Sequence, residues 1–166
     1  MSSAALSRRM WMARDLHDSA NRDLAQIDGL RPVQPDDVDA LAELMMDAYA
    51  GTIDFEEGAT LEDARGEVRS GLGDGADLDP SVVIERDGRL VSTCLVTQRE
   101  GYAALAFVMT HAAFTRQGLA TAVMQHAMCR IHAGGERRVR LGVTRANVNA
   151  VRVYERLGFV DDGPVV

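Results

Sequence analysis

The chain contains no lysine, because all 18 of its basic residues are arginines. Acetylation of its own lysine side chains is therefore excluded, and the exclusive use of arginine indicates a GC-rich, bacterial genome. Cysteine is scarce as well, since only Cys94 and Cys129 are present. Their spacing fits no metal-binding motif, so we expect reduced thiols in a cytoplasmic protein.

Long hydrophobic runs are also missing. No apolar stretch approaches the roughly 20 residues that a membrane-spanning helix needs. Arg8 and Arg9 are not followed by the apolar core of a secretory signal. The net charge is −7, and an acidic chain without clustered basic residues binds nucleic acid poorly. We therefore expect neither a membrane nor a nucleic acid as partner.

What is present fits a globular protein with one domain. The 166 residues are 46% hydrophobic and 26% charged, and this size and composition support one hydrophobic core. Residues 1–27 form an N-terminal extension with a loose helical pattern of apolar residues. We expect a helix packed on the domain or on a partner subunit, or partial disorder. Residues 28–166 form the domain itself.

Apolar periodicity and turn signals predict an α/β order of elements in this domain. The order is a strand, two helices, three antiparallel strands, a helix, a strand, a helix and a short last strand. Asp87 and Gly88 lie between two β-rich runs and predict a hairpin turn. The elements predicted before the short last strand cover residues 30–33, 35–48, 61–72, 81–85, 89–98, 102–110, 117–132, 138–144 and 147–157.

Residues 114–121, Phe-Thr-Arg-Gln-Gly-Leu-Ala-Thr, form a tight turn between a predicted strand and a predicted helix. Such a turn directs several backbone N–H groups and the positive end of the helix dipole to one point, which suits a phosphate. Gly118 lets the backbone approach a ligand closely. The single glycine and the absence of a Gly-Lys-Ser/Thr sequence argue against a dinucleotide fold or P-loop.

Residues 147–159, Asn-Val-Asn-Ala-Val-Arg-Val-Tyr-Glu-Arg-Leu-Gly-Phe, form a second motif. Asn147 is a good N-cap for the last helix, and Tyr154 lies about two turns later on the same helix face. Gly158 suits a left-handed helix end. Together the two motifs resemble those of the GNAT superfamily, the acyl-coenzyme A-dependent N-acyltransferases.

This resemblance covers residues 30–160 and implies the GNAT fold, a mixed, mostly antiparallel sheet flanked by helices. Here the fold would carry an extra N-terminal segment and an abbreviated last strand. The resemblance also implies an N-acetyltransferase that uses acetyl-coenzyme A (acetyl-CoA) and no metal. The amine acceptor would be a small molecule or a peptide. The alternative is a non-catalytic acyl-CoA-binding module that regulates a partner.

The resemblance further implies roles for individual residues. Tyr154 would be the general acid that protonates the departing thiolate, and Asn147 would reach the pantetheine or diphosphate. Backbone groups of the central strand would line the pantetheine, and the turn would hold the phosphates. The residues implied are Val108, Met109 and Thr110 in the strand and Arg116, Gln117, Gly118, Leu119, Ala120 and Thr121 in the turn.

Three features depart from the family pattern or leave a role open. Thr115 stands where the family has Arg or Gln, although its hydroxyl can bond or cap the helix. Residues 160–166 are too short for a further strand, which leaves open a homodimer that covers the sheet edge. No central-strand carboxylate offers a general base. His111 is a weaker candidate for that role, and the acidic residues Asp54, Glu56 and Glu57 could attract a cationic amine.

Overall fold

The structure is a computed structural model that describes residues 8–17, 24, 26–52, 56–72, 78 and 80–165. Its strands are β1 (Arg9–Asp15), β2 (Leu30–Pro32), β3 (Val82–Arg86), β4 (Arg89–Arg99), β5 (Tyr102–Thr110), β6 (Arg138–Thr144) and β7 (Val160–Pro164). Its α-helices are α1 (Val38–Tyr49), α2 (Leu61–Leu72), α3 (Leu119–Ala133) and α4 (Val148–Arg156). The strands form one mixed sheet in the order β2-β3-β4-β5-β6-β1-β7. In the described part of the chain, no helix has the length and apolar character needed to cross a membrane.

From β2 onward, the structure confirms the predicted order of elements. The hairpin between β3 and β4 turns at Asp87 and Gly88, with φ of 52° and 73°, as an Asp-Gly turn allows. Gly158 ends α4 with φ of 87°, in the predicted left-handed conformation. The short last strand is present as β7.

The N-terminal segment differs from the expectation. A helical or disordered extension over residues 1–27 is wrong for Arg9–Asp15, because these residues form β1 inside the sheet. Strand β1 pairs antiparallel with β6 along its whole length and also with β7. It therefore supplies the inner neighbour of the short last strand. Residues 1–7, 18–23 and 25 lie outside the described residues.

Helices cover different parts of the two sheet faces. Helices α3 and α4 pack on one face, over a core that includes Val123, Met124 and Leu141; we call this the α3 face. Helices α1 and α2 pack on the other, the α1–α2 face, over a core that includes Leu41 and Leu95. Because α1 and α2 contact β4 and β5, they cover the half of the sheet that lies away from β1 and β7.

A β-bulge and a loss of pairing open the centre of the sheet. Leu95 pairs with Phe107 but Val96 pairs with Leu105, so β5 carries one extra residue, Ala106. A bulge of this kind bends its strand. The parallel pairing of β5 with β6 ends at Leu105 and Leu141, although both strands continue. We call the gap between residues 106–110 and 142–144 the cleft.

Candidate active site

The main chain of β5 supplies polar groups to the cleft. The N–H of His111 donates to the carbonyl of Val91 in β4 at 2.8 Å. Because alternate residues of an antiparallel strand turn their main-chain groups to opposite sides, Val108 and Thr110 direct theirs towards the cleft. Both residues are half-buried. Two of the three residues predicted to line the pantetheine, Val108 and Thr110, thus have main-chain groups that face the cleft.

Met109 is oriented differently from its two neighbours. Its carbonyl accepts a hydrogen bond from Ser92 Oγ at 3.2 Å, and only 2% of the residue is exposed. Its main-chain groups, by the same alternation, are turned towards β4. The main contribution of Met109 is therefore packing on the α1–α2 face.

The predicted phosphate turn contains two residues in the left-handed conformation. A 3-10 turn, Ala112–Phe114, follows β5, and the chain then passes through Arg116 with φ of 61° and Gly118 with φ of 77°. A Cβ at Gly118 would meet no atom within 4 Å. The positive φ favours glycine there, and the absence of neighbouring atoms leaves the space above the end of α3 open.

The N-terminus of α3 presents unpaired donors. The first backbone bond within the helix joins the Ala122 N–H to the Gly118 carbonyl at 3.0 Å. The N–H groups of Leu119, Ala120 and Thr121 consequently have no partner inside the helix, and among the described residues no side chain caps it. Such an end, with the positive pole of the helix dipole, suits an anion.

The side chains of the turn do not close this end. Thr115 Oγ1 donates to the carbonyl of Ala112 at 3.1 Å, so its hydroxyl stabilises the preceding 3-10 turn. Arg116 and Gln117 are exposed. By contrast, α4 carries a cap, because Asn147 Oδ1 accepts from the Ala150 N–H at 3.3 Å. The two helices that follow β5 and β6 are therefore built differently at their N-termini.

Asn147 and Tyr154 lie on α4, next to the α3-face core. The capping role of Asn147 is confirmed, whereas its contact with a cofactor remains a prediction. Tyr154 is half-buried, and its ring centroid lies 6.2 Å from that of Phe159. Val108 and Tyr154 both pack against the same core cluster. The structure therefore brings the predicted acid and the cleft strand to one face of the sheet.

The acceptor-side candidates fall into two groups. Asp54 lies outside the described residues, while Glu56 and Glu57 are exposed and line a depression of about 450 Å³ with Glu62, Asp63 and Glu67. His111 lies beside α1, where its Nε2 is 3.4 Å from Asp47 Oδ2. Its Nδ1 accepts from the Ala113 N–H at 3.1 Å. The imidazole therefore caps the 3-10 turn that follows β5.

Residues of β1 near the cleft escaped the sequence interpretation. Arg9 Nη2 donates to the carbonyl of Gly142, the first residue of β6 beyond its pairing with β5, at 3.1 Å. The alternation of buried Met10 and Met12 with half-buried Arg9 and Trp11 was the available signal for a strand. Within so short a segment, this alternation competes with the helical spacing of the flanking apolar residues.

The sequence profile of the acetyltransferase (GNAT) family matches residues 38–159, well over half of the chain. No curated protein is significantly similar in sequence. Solved structures of GNAT proteins share the fold. One is a GCN5-related N-acetyltransferase from Sphaerobacter thermophilus, with a TM-score of 0.74 and 21% identity over 93% of this chain. That match covers 48% of the other chain, so this chain spans about half the length of that relative.

Two smaller relatives are matched over most of both chains. The ribosomal-protein-S18-alanine N-acetyltransferase from Escherichia coli has a TM-score of 0.63 and 17% identity, over 81% of this chain and 78% of its own. The PaiA N-acetyltransferase from Thermoplasma acidophilum was solved in complex with coenzyme A. It has a TM-score of 0.58 and 17% identity, over 77% of this chain and 86% of its own. At these identities the likeness establishes the fold.

Proposed function

Since this chain belongs to the acetyltransferase (GNAT) family, whose members use acetyl-CoA, we propose that it is an N-acetyltransferase. It transfers the acetyl group of acetyl-CoA to a primary amine of a small molecule or peptide. The observation that carries this proposal is the uncapped N-terminus of α3 directly after the strand that leaves the cleft. Backbone N–H groups of Leu119, Ala120 and Thr121 are available there to an anion.

The residues present fit coenzyme A. Its diphosphate matches the N–H groups and the positive dipole end of α3, and the missing side chain at Gly118 leaves room for it. The exposed side chains of Arg116 and Gln117 are available to the same phosphates. Its pantetheine arm carries amides, and the main-chain groups of Val108 and Thr110 in the cleft can form hydrogen bonds with them. Asn147 at the start of α4 is the second helix end in this region.

The chain's own groups then have separate tasks in direct transfer. Bound acetyl-CoA supplies an activated acetyl thioester. A main-chain N–H of Val108 or Thr110 donates to the thioester carbonyl oxygen and stabilises negative charge there. The amine nitrogen bonds to the acetyl carbon as the carbon–sulfur bond breaks, and the Tyr154 phenol provides the proton for the departing sulfur as a general acid. The proton that the amine loses passes to solvent water, from which the phenol is protonated again. Holding both substrates in the cleft supplies much of the rate acceleration by positioning.

The two smaller relatives support parts of this proposal. The Thermoplasma acidophilum protein was solved with coenzyme A, which supports a coenzyme A site on this fold. The Escherichia coli protein is named for an alanine of a ribosomal protein, which supports a peptide amine as one acceptor class. We also propose a cytoplasmic location and a reaction that needs no metal. Measuring transfer after dialysis of the protein against EDTA tests whether a metal is needed.

Calorimetric titration with acetyl-CoA and coenzyme A tests the proposal, together with thermal unfolding in the presence of each. We expect micromolar binding and a higher unfolding temperature, because a ligand of the native state stabilises it. A screen of amine acceptors by thiol release then measures transfer. Absence of binding contradicts the proposal. Binding without transfer to any amine favours the regulatory acyl-CoA-binding module instead.

A further inference from the structure

Arg9 reaches from β1 across β6 to the cleft. The Arg145 N–H donates to the carbonyl of Arg8 at 2.9 Å, so alternate residues of β6 direct their main-chain groups towards β1 and towards β5. By this alternation Gly142 directs its carbonyl towards β5, and this carbonyl accepts from Arg9 Nη2 at 3.1 Å. The guanidinium therefore lies at the point where β5 and β6 separate.

Gly142 makes room for this arrangement. A Cβ at Gly142 would lie 3.1 Å from Arg9 Nη2 and 3.7 Å from Cζ3 of Trp11. Both side chains thus lie over the glycine, and a Cβ there would press on the Arg9 guanidinium while meeting Trp11 in ordinary van der Waals contact. The neighbouring residues Leu141 and Val143 point into the α3-face core. Arg9 and Trp11 consequently occupy the opposite, α1–α2 face.

This position separates Arg9 from the proposed phosphate site. The phosphate-binding end of α3 belongs to the helix that packs on the α3 face, whereas the Arg9 guanidinium lies on the other face of the sheet. An amine must approach the thioester from a side that coenzyme A does not occupy. The opening of the cleft on the α1–α2 face is such a side, and the positively charged guanidinium of Arg9 lies beside it.

Arg9 also has hydrogen-bonding capacity left over. Its Nε is buried and has no hydrogen-bond partner among the described residues. Two other arginines on the same face have carboxylate neighbours: Arg138 has Asp15 at 3.3 Å and Asp162 at 3.1 Å, and Arg140 has Asp162 at 2.8 Å, although the Arg140 Nε also makes no hydrogen bond among the described residues. Because the Arg9 Nε has almost no exposed surface, a carboxylate would contact the terminal Nη groups of the half-buried guanidinium instead. A carboxylate matches the planar fork of a guanidinium and can accept two hydrogen bonds from it.

Aromatic rings line the same face on both sides of the cleft. On β5, Phe107 packs so closely under α2 that a Cβ at Gly71 would lie 2.7 Å from its Cε2. On β1, the Trp11 ring lies 4.6 Å from the guanidinium carbon of Arg140. Both rings therefore lie on the α1–α2 face and are already packed, Phe107 under α2 and Trp11 on Arg140.

We propose that Arg9 binds a carboxylate of the acceptor, and that the acceptor is therefore an amine of the amino-acid type. This inference rests on the proposed acetyl transfer and specifies its substrate class. The guanidinium holds the carboxylate on the α1–α2 face and orients the amine into the cleft. Arg9 thereby distinguishes acids from the corresponding amides and simple amines.

The test compares matched acceptors and matched variants of the full chain. The acceptors are the natural α-amino acids, their carboxamides and the amines that lack the carboxylate, and transfer is followed by thiol release from acetyl-CoA. We expect the acids to have a kcat/KM at least about tenfold higher than the matched amides. Arg9→Gln should remove this preference, mainly by raising KM, while acetyl-CoA affinity by calorimetry stays within about twofold.

Two further variants separate the carboxylate contact from other effects. Arg8→Gln removes the same charge from the neighbouring exposed position and should leave the preference intact. Arg9→Lys keeps the charge but not the planar fork, and it should retain only part of the preference. Thermal unfolding identifies any variant that fails to fold.

The outcomes distinguish this inference from the proposed function. If amides and simple amines are acetylated as well as acids, or if Arg9→Gln leaves the preference unchanged, the carboxylate role of Arg9 is wrong and the acetyltransferase proposal remains. If acetyl-CoA does not bind to the wild-type chain, the proposed function itself fails.

Discussion

Arg31 and Asp37 form a two-pronged ion pair, with Nη1 to Oδ2 at 2.8 Å and Nη2 to Oδ1 at 2.9 Å. The same carboxylate accepts from the Gln34 N–H at 2.7 Å. It thereby joins the end of β2 to the turn that begins α1. Burial alone would raise the pKa of Asp37, but the hydrogen bonds from Arg31 and Gln34 outweigh it, and the pKa lies below its ordinary value of 3.8.

A lowered carboxyl pKa in the folded state implies stabilisation above the unfolded pKa, which is lost as the pH falls through the folded value. We expect Asp37→Asn to lower the free energy of unfolding at pH 7 by about 2 kcal/mol, since it removes the bidentate partner of Arg31 and leaves this guanidinium with the more distant Glu85 carboxylate, 3.7 Å from its Nε. Relative to wild type, the loss should shrink below pH 4. Urea unfolding at pH 7 and pH 3 measures this, and an equal loss at both pH values would contradict the role of the ionised carboxylate.

The two glycines inside α2 should respond oppositely to alanine. At Gly66 a Cβ meets nothing within 4 Å, so Gly66→Ala should stabilise the protein by about 0.5–1 kcal/mol through helix propensity. At Gly71 a Cβ would lie 2.7 Å from the Phe107 ring, so Gly71→Ala should destabilise it by about 1 kcal/mol through overpacking. Thermal and urea unfolding of both variants decide this. Equal stabilisation by both would contradict the close packing of α2 on Phe107.

Gly118→Glu should abolish binding of coenzyme A. The substitution adds bulk and negative charge in the open space at the N-terminus of α3, where the diphosphate is proposed to bind. Gly135→Glu is the matched control, because Gly135 follows the other end of α3, also has positive φ, at 98°, and also has open space around it. Both variants carry a similar backbone strain of about 1 kcal/mol. Calorimetry should show binding by Gly135→Glu alone, and retained affinity in Gly118→Glu would place the phosphates elsewhere.

Tyr154→Phe should reduce kcat by about 10²-fold or more without a large change in acetyl-CoA affinity, because only the proton of the general acid is removed. Tyr102→Phe is the control: its ring contacts Arg140, with 5.1 Å from the guanidinium carbon to the ring centroid, at the closed end of the β5–β6 pair. Steady-state kinetics and calorimetry test both variants. An unchanged kcat in Tyr154→Phe would remove the phenol from the mechanism.

The elements from β2 to β7 could be predicted because each carries its own local signal. The helix bearing Val123 and Ala127 has apolar residues at helical spacing, and Asp87-Gly88 and Gly158 mark backbone turns that few other residues allow. The same holds for the turn around Gly118, whose motif is contiguous in sequence. The local sequence therefore predicted the turn and the start of α3, to which we assign the coenzyme A phosphates.

The proposed acceptor side around Arg9 could not be predicted in this way. Strand β1 is specified by pairing with β6 and β7, and strand preference depends on such neighbours more than on the segment itself. Without β1, nothing in the sequence placed Arg9 beside Gly142. The bulge at Ala106 could not be predicted either. One extra residue leaves the composition of the strand unchanged, and the bulge shows only in the pairing of β5 with β4.

The pairing of β1 with β6 and β7 has a consequence for the order in which the sheet can form. Arg9 and its hydrogen-bond partner Gly142 are 133 residues apart in sequence, whereas β3, β4 and β5 are joined by short hairpins. Closing so long a loop costs entropy before any pairing compensates it, and contacts of this kind form slowly. The hairpin-linked strands can therefore assemble first, and the half of the sheet that holds Arg9 is completed only when the two distant ends of the chain meet.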